Sequence, residues 1–285
     1  MDETLKRAFA SHPRRWRTLH YVYPVIARRS RGLSIGINLS PTGACTFDCA
    51  YCSIDRSADS DRNQSIPDLN ILNTELRELL AHRERLFEEP EFRSVPPPYR
   101  RLNDLAFSGD GEPTASPVFP DAVRVVAAAR ADFGLTDVKI VLITNASCLT
   151  RPAVVEALRV LDANNGEIWA KLDAGTQEYF ERINGVRVPL TMVLDNILAT
   201  ARLRPIVLQS MFVRLGGQPP EPHEINAYVE RVRWLLARGA QIALVQVYTL
   251  ARRAVHADVS PLAPPELETI AAAVRSLGVP AEVFP

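Results

Sequence analysis

The sequence of 285 residues has only four cysteines and no run of 18 or more apolar residues. The absence of such a run argues against a membrane-spanning helix, and the N-terminus lacks the apolar region of a signal peptide. Acidic and basic side chains are equal in number, 33 each, so the whole chain has no general attraction for a polyanion. Three of the four cysteines are clustered, which excludes a disulfide framework. The sequence therefore predicts a cytoplasmic protein with reduced thiols and no membrane partner.

The charge is unevenly distributed along the chain. Residues 1–32 carry eight Lys and Arg side chains against two Asp and Glu side chains. Such a segment is typical of a solvated surface, although a local basic patch can also steer RNA. We predict a basic N-terminal extension over residues 1–32 and a single domain over residues 33–285.

Strand and helix patterns alternate through the predicted domain. The first predicted strand, 33–39, alternates apolar with small or polar residues. The other five lie at 102–108, 138–144, 167–172, 206–213 and 241–248, and 138–144 is near-continuously apolar. The predicted helices lie at about 68–89, 117–133, 152–163, 176–182 with 190–204, 223–238 and 264–277. A helix at 2–10, an apolar run at 21–27 and a polar loop at 57–67 lie outside this rhythm. Buried strands alternating with helices favour parallel pairing and right-handed crossovers. The predicted fold is an α/β partial (βα)6 TIM-type barrel, with functional loops at the C-terminal ends of the strands.

Cys45, Cys49 and Cys52 follow the first predicted strand with the spacing C-x3-C-x2-C. Three thiolates so close in sequence are well placed to surround one inorganic centre. A [4Fe–4S] cube prefers four cysteine ligands, so three cysteines leave one iron open to another ligand. A structural zinc site is the alternative, although zinc usually takes four ligands. His20 is the nearest histidine in sequence, and no second C-x2-C pair exists.

A second motif, F-S-G-D-G-E-P-T, follows the second predicted strand at residues 107–114. Gly109 and Gly111 allow the backbone to approach a ligand closely. Glu112 is able to accept a hydrogen bond from an ammonium group, and Pro113 fixes the turn. The alternative is a plain turn between a strand and a helix.

These motifs together resemble the radical S-adenosylmethionine (SAM) superfamily. The cysteine triplet has the aromatic Tyr51 before its last cysteine, and G-D-G-E-P is similar to the usual G-G-E-P except at Asp110. The resemblance covers roughly residues 33–250. It implies a [4Fe–4S] cluster on the three cysteines, with the amino and carboxylate groups of SAM on the fourth iron. It also implies that an external one-electron donor, such as a flavodoxin or ferredoxin, reduces the cluster. SAM is then cleaved to a 5′-deoxyadenosyl radical, which abstracts hydrogen from a substrate.

The resemblance also assigns roles to individual residues at the strand ends. The predicted cofactor-binding residues are Tyr51, Gly109, Asp110, Gly111, Glu112, Pro113, Asn145 and Tyr248. Asn145 bonds either the ribose or the methionyl carboxylate, or else caps a turn. Tyr248 lines an adenine pocket or belongs to the ordinary core. Lys171 and Asp173 are the predicted catalytic residues. They share one strand face, and the alternative is a structural ion pair.

Further segments resemble the wyosine-synthase-related group of this superfamily, namely Y-V-Y-P-V-I, L-S-I-G-I-N-L-S-P, I-T-N-A-S and L-D-A-G-T. That group includes enzymes that build a tricyclic base on tRNA with a second cluster and a lysine for pyruvate. Here no cysteine precedes Cys45, and Lys6 is the only upstream lysine, which argues against pyruvate condensation on guanosine.

Cys148 is expected to be a buried apolar residue. No cysteine follows it, which argues against an auxiliary-cluster domain and against methyl transfer through a C-terminal cysteine. The predicted substrate is a tRNA base, a peptide or a small metabolite. The alternative function is a non-catalytic iron–sulfur electron-transfer protein or a zinc-binding structural protein.

Overall fold

The computed structural model describes residues 3–10, 16–55 and 66–285. Arg14 and Arg15 of the basic segment, and most of the predicted loop at 57–67, lie outside the described residues. The helices are α1 (Glu3–Ala10), α2 (Leu69–Ala81), α3 (Phe119–Asp132), α4 (Pro152–Asp162), α5 (Gln177–Asn184), α6 (Leu190–Ala201), α7 (Pro222–Ala237) and α8 (Pro264–Arg275).

The strands include all six that the sequence predicts. They are β1 (Val22–Ala27), β2 (Gly32–Ile37), β3 (Leu102–Phe107), β4 (Lys139–Thr144), β5 (Gly166–Lys171), β6 (Ile206–Met211), β7 (Val213–Leu215), β8 (Ile242–Tyr248), β9 (Val259–Pro261) and β10 (Ala281–Phe284). Within the described part of the chain, β2, β3, β4, β5, β6 and β8 are the strands of six strand–helix units.

By its backbone contacts the chain divides into two compact units. The first unit comprises Met1–Ala44, Asp61–Leu142 and Pro152–Glu167. The second unit comprises Cys45–Ser60, Ile143–Arg151 and Ile168–Pro285. The predicted boundary between residues 32 and 33 remains a prediction.

In the first unit, β1 pairs with β2 in antiparallel orientation, and β2–β3 and β3–β4 are parallel. Every residue of β2 is buried, as expected for a strand with neighbours on both sides. Gly36 is required in β2 because a Cβ there would lie 2.2 Å from the ring of Tyr23 on β1. The antiparallel strand β1 is thus an addition to the predicted parallel pattern.

In the second unit the parallel strand order is β5-β6-β8-β10, and β7 and β9 form a separate antiparallel pair. The sequence pattern treats residues 281–284 only as a short apolar end, whereas they form the parallel strand β10 beside β8. Phe212 and Tyr228 pack edge to face in this core, with ring centroids 5.1 Å apart. No described helix combines the length and apolar character needed to cross a membrane.

Candidate functional site

The cysteine loop, defined as residues 45–55, lies against the C-terminal end of α5 within the second unit. The backbone N–H of Asp48 donates to the carbonyl of Asn184 at 3.1 Å, and that of Ala50 donates to the carbonyl of Ile183 at 2.9 Å. The last carbonyls of a helix have no partner inside the helix. The N–H groups of the loop therefore provide the missing hydrogen bonds to these carbonyls, and the same bonds hold the loop against the helix.

Gly185 allows this close contact. It ends α5 in the left-handed conformation with φ of 58°, which glycine adopts without a steric cost. A Cβ at this position would lie 2.1 Å from the carbonyl oxygen of Asp48. Phe47 adds an edge-to-face contact with Phe180 of α5, with ring centroids 5.6 Å apart. The end of α5 is thus shaped to receive the cysteine loop.

Substitution Gly185→Ala is expected to loosen the cysteine loop. The left-handed backbone alone costs a non-glycine residue roughly 1–2 kcal/mol, and the clash with Asp48 adds to that cost. Gly239→Ala is the matched control, because Gly239 has φ of 85° and its Cβ would meet no atom of the described residues within 4 Å. Denaturant unfolding should show a larger loss of free energy of unfolding for Gly185→Ala than for Gly239→Ala. Iron uptake should fall only in Gly185→Ala. Equal stability and equal iron uptake in the two variants would contradict a role for the contact between Gly185 and Asp48.

The cysteines are half-buried in this loop, and none of the four forms a disulfide. The side-chain amide nitrogen of Asn184 lies 3.4 Å from Cys49 Sγ and donates to it. Burial raises the pKa of the Cys49 thiol, and the charge of Lys171 opposes that shift. The thiol therefore holds its proton at neutral pH, and metal binding would release it.

Lys171 and Asp173, at the end of β5, meet Tyr51 of the cysteine loop. Lys171 Nζ donates to the Tyr51 hydroxyl at 2.5 Å and lies 4.3 Å from the ring centroid. The Tyr51 hydroxyl donates to Asp173 Oδ2. Lys171 Nζ is 3.8 Å from the same carboxylate oxygen. The structure thus brings three predicted site residues together, and the phenol is closer to the ammonium group than the carboxylate is.

The protonation states of this group follow from burial and charge. Burial, together with the Asp173 charge, raises the pKa of Tyr51 well above its usual value, so Tyr51 remains a phenol that donates. Burial alone would lower the pKa of Lys171, but negative charge around it, including that of the Asp173 carboxylate, outweighs burial and raises that pKa. Lys171 therefore carries its positive charge at neutral pH.

Asp173 is held from two further sides. Its side chain is 1% exposed. Oδ1 accepts from the backbone N–H of Met211 at 2.9 Å, and Oδ2 accepts from the amide of Asn184 at 2.9 Å. A buried carboxylate needs such donors to remain ionised. Asp173 therefore links β5, the residue that ends β6 and the end of α5.

Glu224, at the start of α7, fixes the D-A-G-T loop that follows Asp173. It is 2% exposed and accepts from the backbone N–H of Gly175 at 2.5 Å and from the Thr176 hydroxyl at 2.6 Å. The sequence pattern does not predict this role, because an acidic residue in the first turn of a helix is common for reasons of helix polarity alone.

Asn145 makes the bonds of a turn cap. Its Oδ1 accepts from the backbone N–H of Ser147 at 3.0 Å, and its Nδ2 donates to the Thr46 hydroxyl of the cysteine loop at 2.8 Å. The turn alternative is therefore present in the structure, and a cofactor contact of Asn145 remains a prediction. Tyr248 is buried at the end of β8, with 4% exposure.

The G-D-G-E-P motif belongs to the first unit, where its glycines contact the chain itself. A Cβ on Gly109 would lie 2.4 Å from Asn38 Oδ1, and one on Gly111 would lie 1.9 Å from the Ala44 carbonyl. Asn38 also donates to the Asp110 carboxylate at 2.8 Å. The motif thus packs on the residues that lead into the cysteine loop.

Glu112 is buried and caps the short 3-10 helix Pro113–Ala115, accepting from the Thr114 backbone N–H at 3.1 Å. Pro113 occupies the first turn of that helix, where its missing N–H costs nothing. Cofactor binding by residues 109–113 remains a prediction.

No three His, Cys, Asp or Glu side chains among the described residues converge closely enough to hold one metal ion. In an iron–sulfur cube each cysteine binds a different iron, so three thiols need only surround a cluster. The loop supplies three cysteines, and the amide of Asn184 lies beside Cys49. This set of groups fits the chemistry of such a cluster.

Sequence comparisons match this chain only in part. No family model matches the chain. A UPF0026 protein of Methanocaldococcus jannaschii is 29% identical over 180 residues, which are 61% of this chain and 46% of that protein. This chain therefore spans less than half the length of the curated relatives that it matches.

Two solved structures share the fold. A radical SAM methyltransferase from Sphaerobacter thermophilus superposes with a TM-score of 0.60 over 92% of this chain and 68% of that chain, at 12% identity. TYW1 with a lysine–pyruvate adduct bound superposes with a TM-score of 0.51 over 87% of this chain and 74% of that chain, at 14% identity. The chain therefore has the α/β fold of the radical SAM superfamily, a partial (βα)6 TIM-type barrel.

Proposed function

We propose that this chain is a radical SAM enzyme, with a [4Fe–4S] cluster on Cys45, Cys49 and Cys52 and with SAM at the open iron. The observation that carries the proposal is the position of the cysteine loop at the end of β5, in contact with Lys171 and Asp173 through Tyr51. When bound, the cluster and SAM would supply the electron and the 5′-deoxyadenosyl radical. The fold supports the same assignment.

The residues of the chain have separate tasks in this proposal. The positive charge of Lys171 offsets the negative charge of the cluster thiolates and attracts the carboxylate of SAM. Tyr51 holds the ammonium group in place through its hydroxyl and ring. Asp173, fixed by Met211 and Asn184, keeps Tyr51 oriented. The buried setting strengthens each of these electrostatic contacts.

A flavodoxin-like or ferredoxin-like one-electron donor and a hydrogen-donating substrate complete the proposed reaction. We propose a tRNA base, a peptide or a small metabolite as the substrate. The basic residues before position 33 support a tRNA.

Anaerobic reconstitution tests the proposal. The protein is loaded with iron and sulfide, then incubated with SAM and dithionite, and 5′-deoxyadenosine is quantified by mass spectrometry. We expect 5′-deoxyadenosine to form only when the cluster, SAM and reductant are all present. An intact cluster that yields no 5′-deoxyadenosine would instead favour a non-catalytic iron–sulfur protein, and binding of zinc in place of iron would favour a structural metal site.

A further inference from the structure

Asn184 is a buried amide that contacts the predicted cluster ligand Cys49. Asn184 is 2% exposed. Its Nδ2 lies 3.4 Å from Cys49 Sγ and 2.9 Å from Asp173 Oδ2. A primary amide has two N–H donors. One serves the carboxylate, and the other lies where both the sulfur and the Tyr51 hydroxyl oxygen are 3.4 Å from the nitrogen. Asn184 lies 135 positions from Cys49 in sequence, and it belongs to none of the sequence motifs named above.

The orientation of this amide is fixed by its neighbours. The Asp173 carboxylate only accepts hydrogen bonds, so the nitrogen of Asn184, rather than its oxygen, must face it. Asp173 is itself anchored by the backbone N–H of Met211 at 2.9 Å. The Asn184 oxygen, on the opposite side, is buried and has no hydrogen-bond partner among the described residues. The side chain is thus held by its donor side, which is the side that reaches Cys49.

The backbone adds to this arrangement. The carbonyl of Asn184 accepts from the N–H of Asp48, the residue before Cys49. One residue therefore holds the loop through its main chain and the ligand sulfur through its side chain. A shift of Asn184 relative to Cys49 would have to break both contacts.

We infer that Asn184 is a positioning residue whose N–H···S bond to Cys49 sets the reduction potential of the cluster. This inference rests on the proposed function, because it requires Cys49 to bind iron. Hydrogen bonds to ligand sulfurs tune the potentials of iron–sulfur clusters. A donor draws electron density from the thiolate and stabilises the more negative, reduced cluster. The bond from Asn184 therefore raises the potential and eases the one-electron transfer from the external donor to the cluster.

Two variants and one control test this inference on the reconstituted protein. Asn184→Leu removes the donor at similar size, and Asn184→Asp keeps the shape but replaces the N–H group by a carboxylate. Thr200→Val is the control, since Thr200 is similarly buried, at 4% exposure, and its hydroxyl donates to the carbonyl of Asn196 in its own helix. Midpoint potentials come from redox titration followed by electron paramagnetic resonance.

The expected result is a more negative potential in both Asn184 variants and an unchanged potential in Thr200→Val. Yield of 5′-deoxyadenosine with dithionite should fall several-fold in Asn184→Leu and recover with the stronger one-electron reductant titanium(III). A merely structural role would let water reach the cluster, and solvent would shift the potential in the opposite direction. An unchanged or raised potential with an intact cluster would therefore overturn the inference.

A measurement on the wild-type protein covers the case in which the variants fail to bind iron. With asparagine labelled by nitrogen-15, the reduced cluster should show a hyperfine coupling to a side-chain amide nitrogen. Absence of that coupling in a protein that holds its cluster would overturn the role of Asn184 alone. Wild-type protein that forms no cluster would overturn the proposed function as well.

Discussion

Alanine at Cys45, Cys49 or Cys52 is expected to bring cluster iron to background and to abolish 5′-deoxyadenosine formation. Each thiolate is predicted to bind a separate iron. A cube prefers four cysteine ligands, so a variant with only two of the three predicted ligands should not hold the cluster. The variants should be reconstituted under the same anaerobic conditions as the wild type. Iron and sulfide content, together with the cluster absorbance, measure the first effect, and mass spectrometry measures the second.

Cys148→Ala is the matched control for these three variants. Cys148 is 2% exposed and lies in the same unit as the cysteine loop. Its replacement should cost about 1 kcal/mol of stability through the small cavity it leaves, while iron content and 5′-deoxyadenosine formation stay at wild-type levels. Full iron content and full SAM cleavage in Cys45→Ala would refute the assignment of the cluster ligands.

Substitution Asp173→Asn is expected to have the second largest effect, on stability and on activity together. The new amide group would present donors to a site where Tyr51, Asn184 and Met211 already donate. At least one of these buried donors would lose its partner, and Lys171 would lose its nearby anion. Unsatisfied buried groups cost roughly 1–3 kcal/mol each, so we expect a loss of about 3 kcal/mol in anaerobic urea unfolding.

Lys171→Met separates the charge of this group from its hydrogen bonds. Breaking a buried ion pair typically costs about 3–5 kcal/mol. Lys171 is partly exposed, and Asp173 keeps three other hydrogen-bond donors. We therefore expect a smaller loss of unfolding free energy, about 2 kcal/mol. SAM cleavage should fall by more than this loss of stability explains, because the ammonium group is proposed to attract the SAM carboxylate.

Lys139→Met is the control for Lys171→Met. Lys139 pairs with Glu167 at 2.5 Å, but its side chain is 51% exposed. Surface pairs contribute less than about 1 kcal/mol, so this variant should retain its stability and SAM cleavage.

The double variant Lys171→Met with Asp173→Asn is expected to lose less free energy of unfolding than the sum of the losses in the two single variants, because the two residues are in contact. Additive losses would show that the two side chains act independently.

The order of strands and helices could be predicted from the sequence because buried parallel strands have near-continuous apolar runs. The run at 138–144 matches β4 closely. The sequence pattern did not predict the pairing of β10, because four residues at the end of the chain give too short a signal. It also did not predict the antiparallel direction of β1, since an apolar run carries no information about the direction of its neighbour.

The sequence by itself determined the cysteine triplet and the polar residues at the strand ends, because these depend on spacing and on the common edge where parallel strands end. Only the tertiary structure decided which of these residues meet. It placed Tyr51 between Lys171 and Asp173, and it brought Asn184 to the sulfur of Cys49. The reason is physical: these contacts join segments more than a hundred residues apart, and the docking of α5 on the cysteine loop, which no local pattern encodes, brings them together.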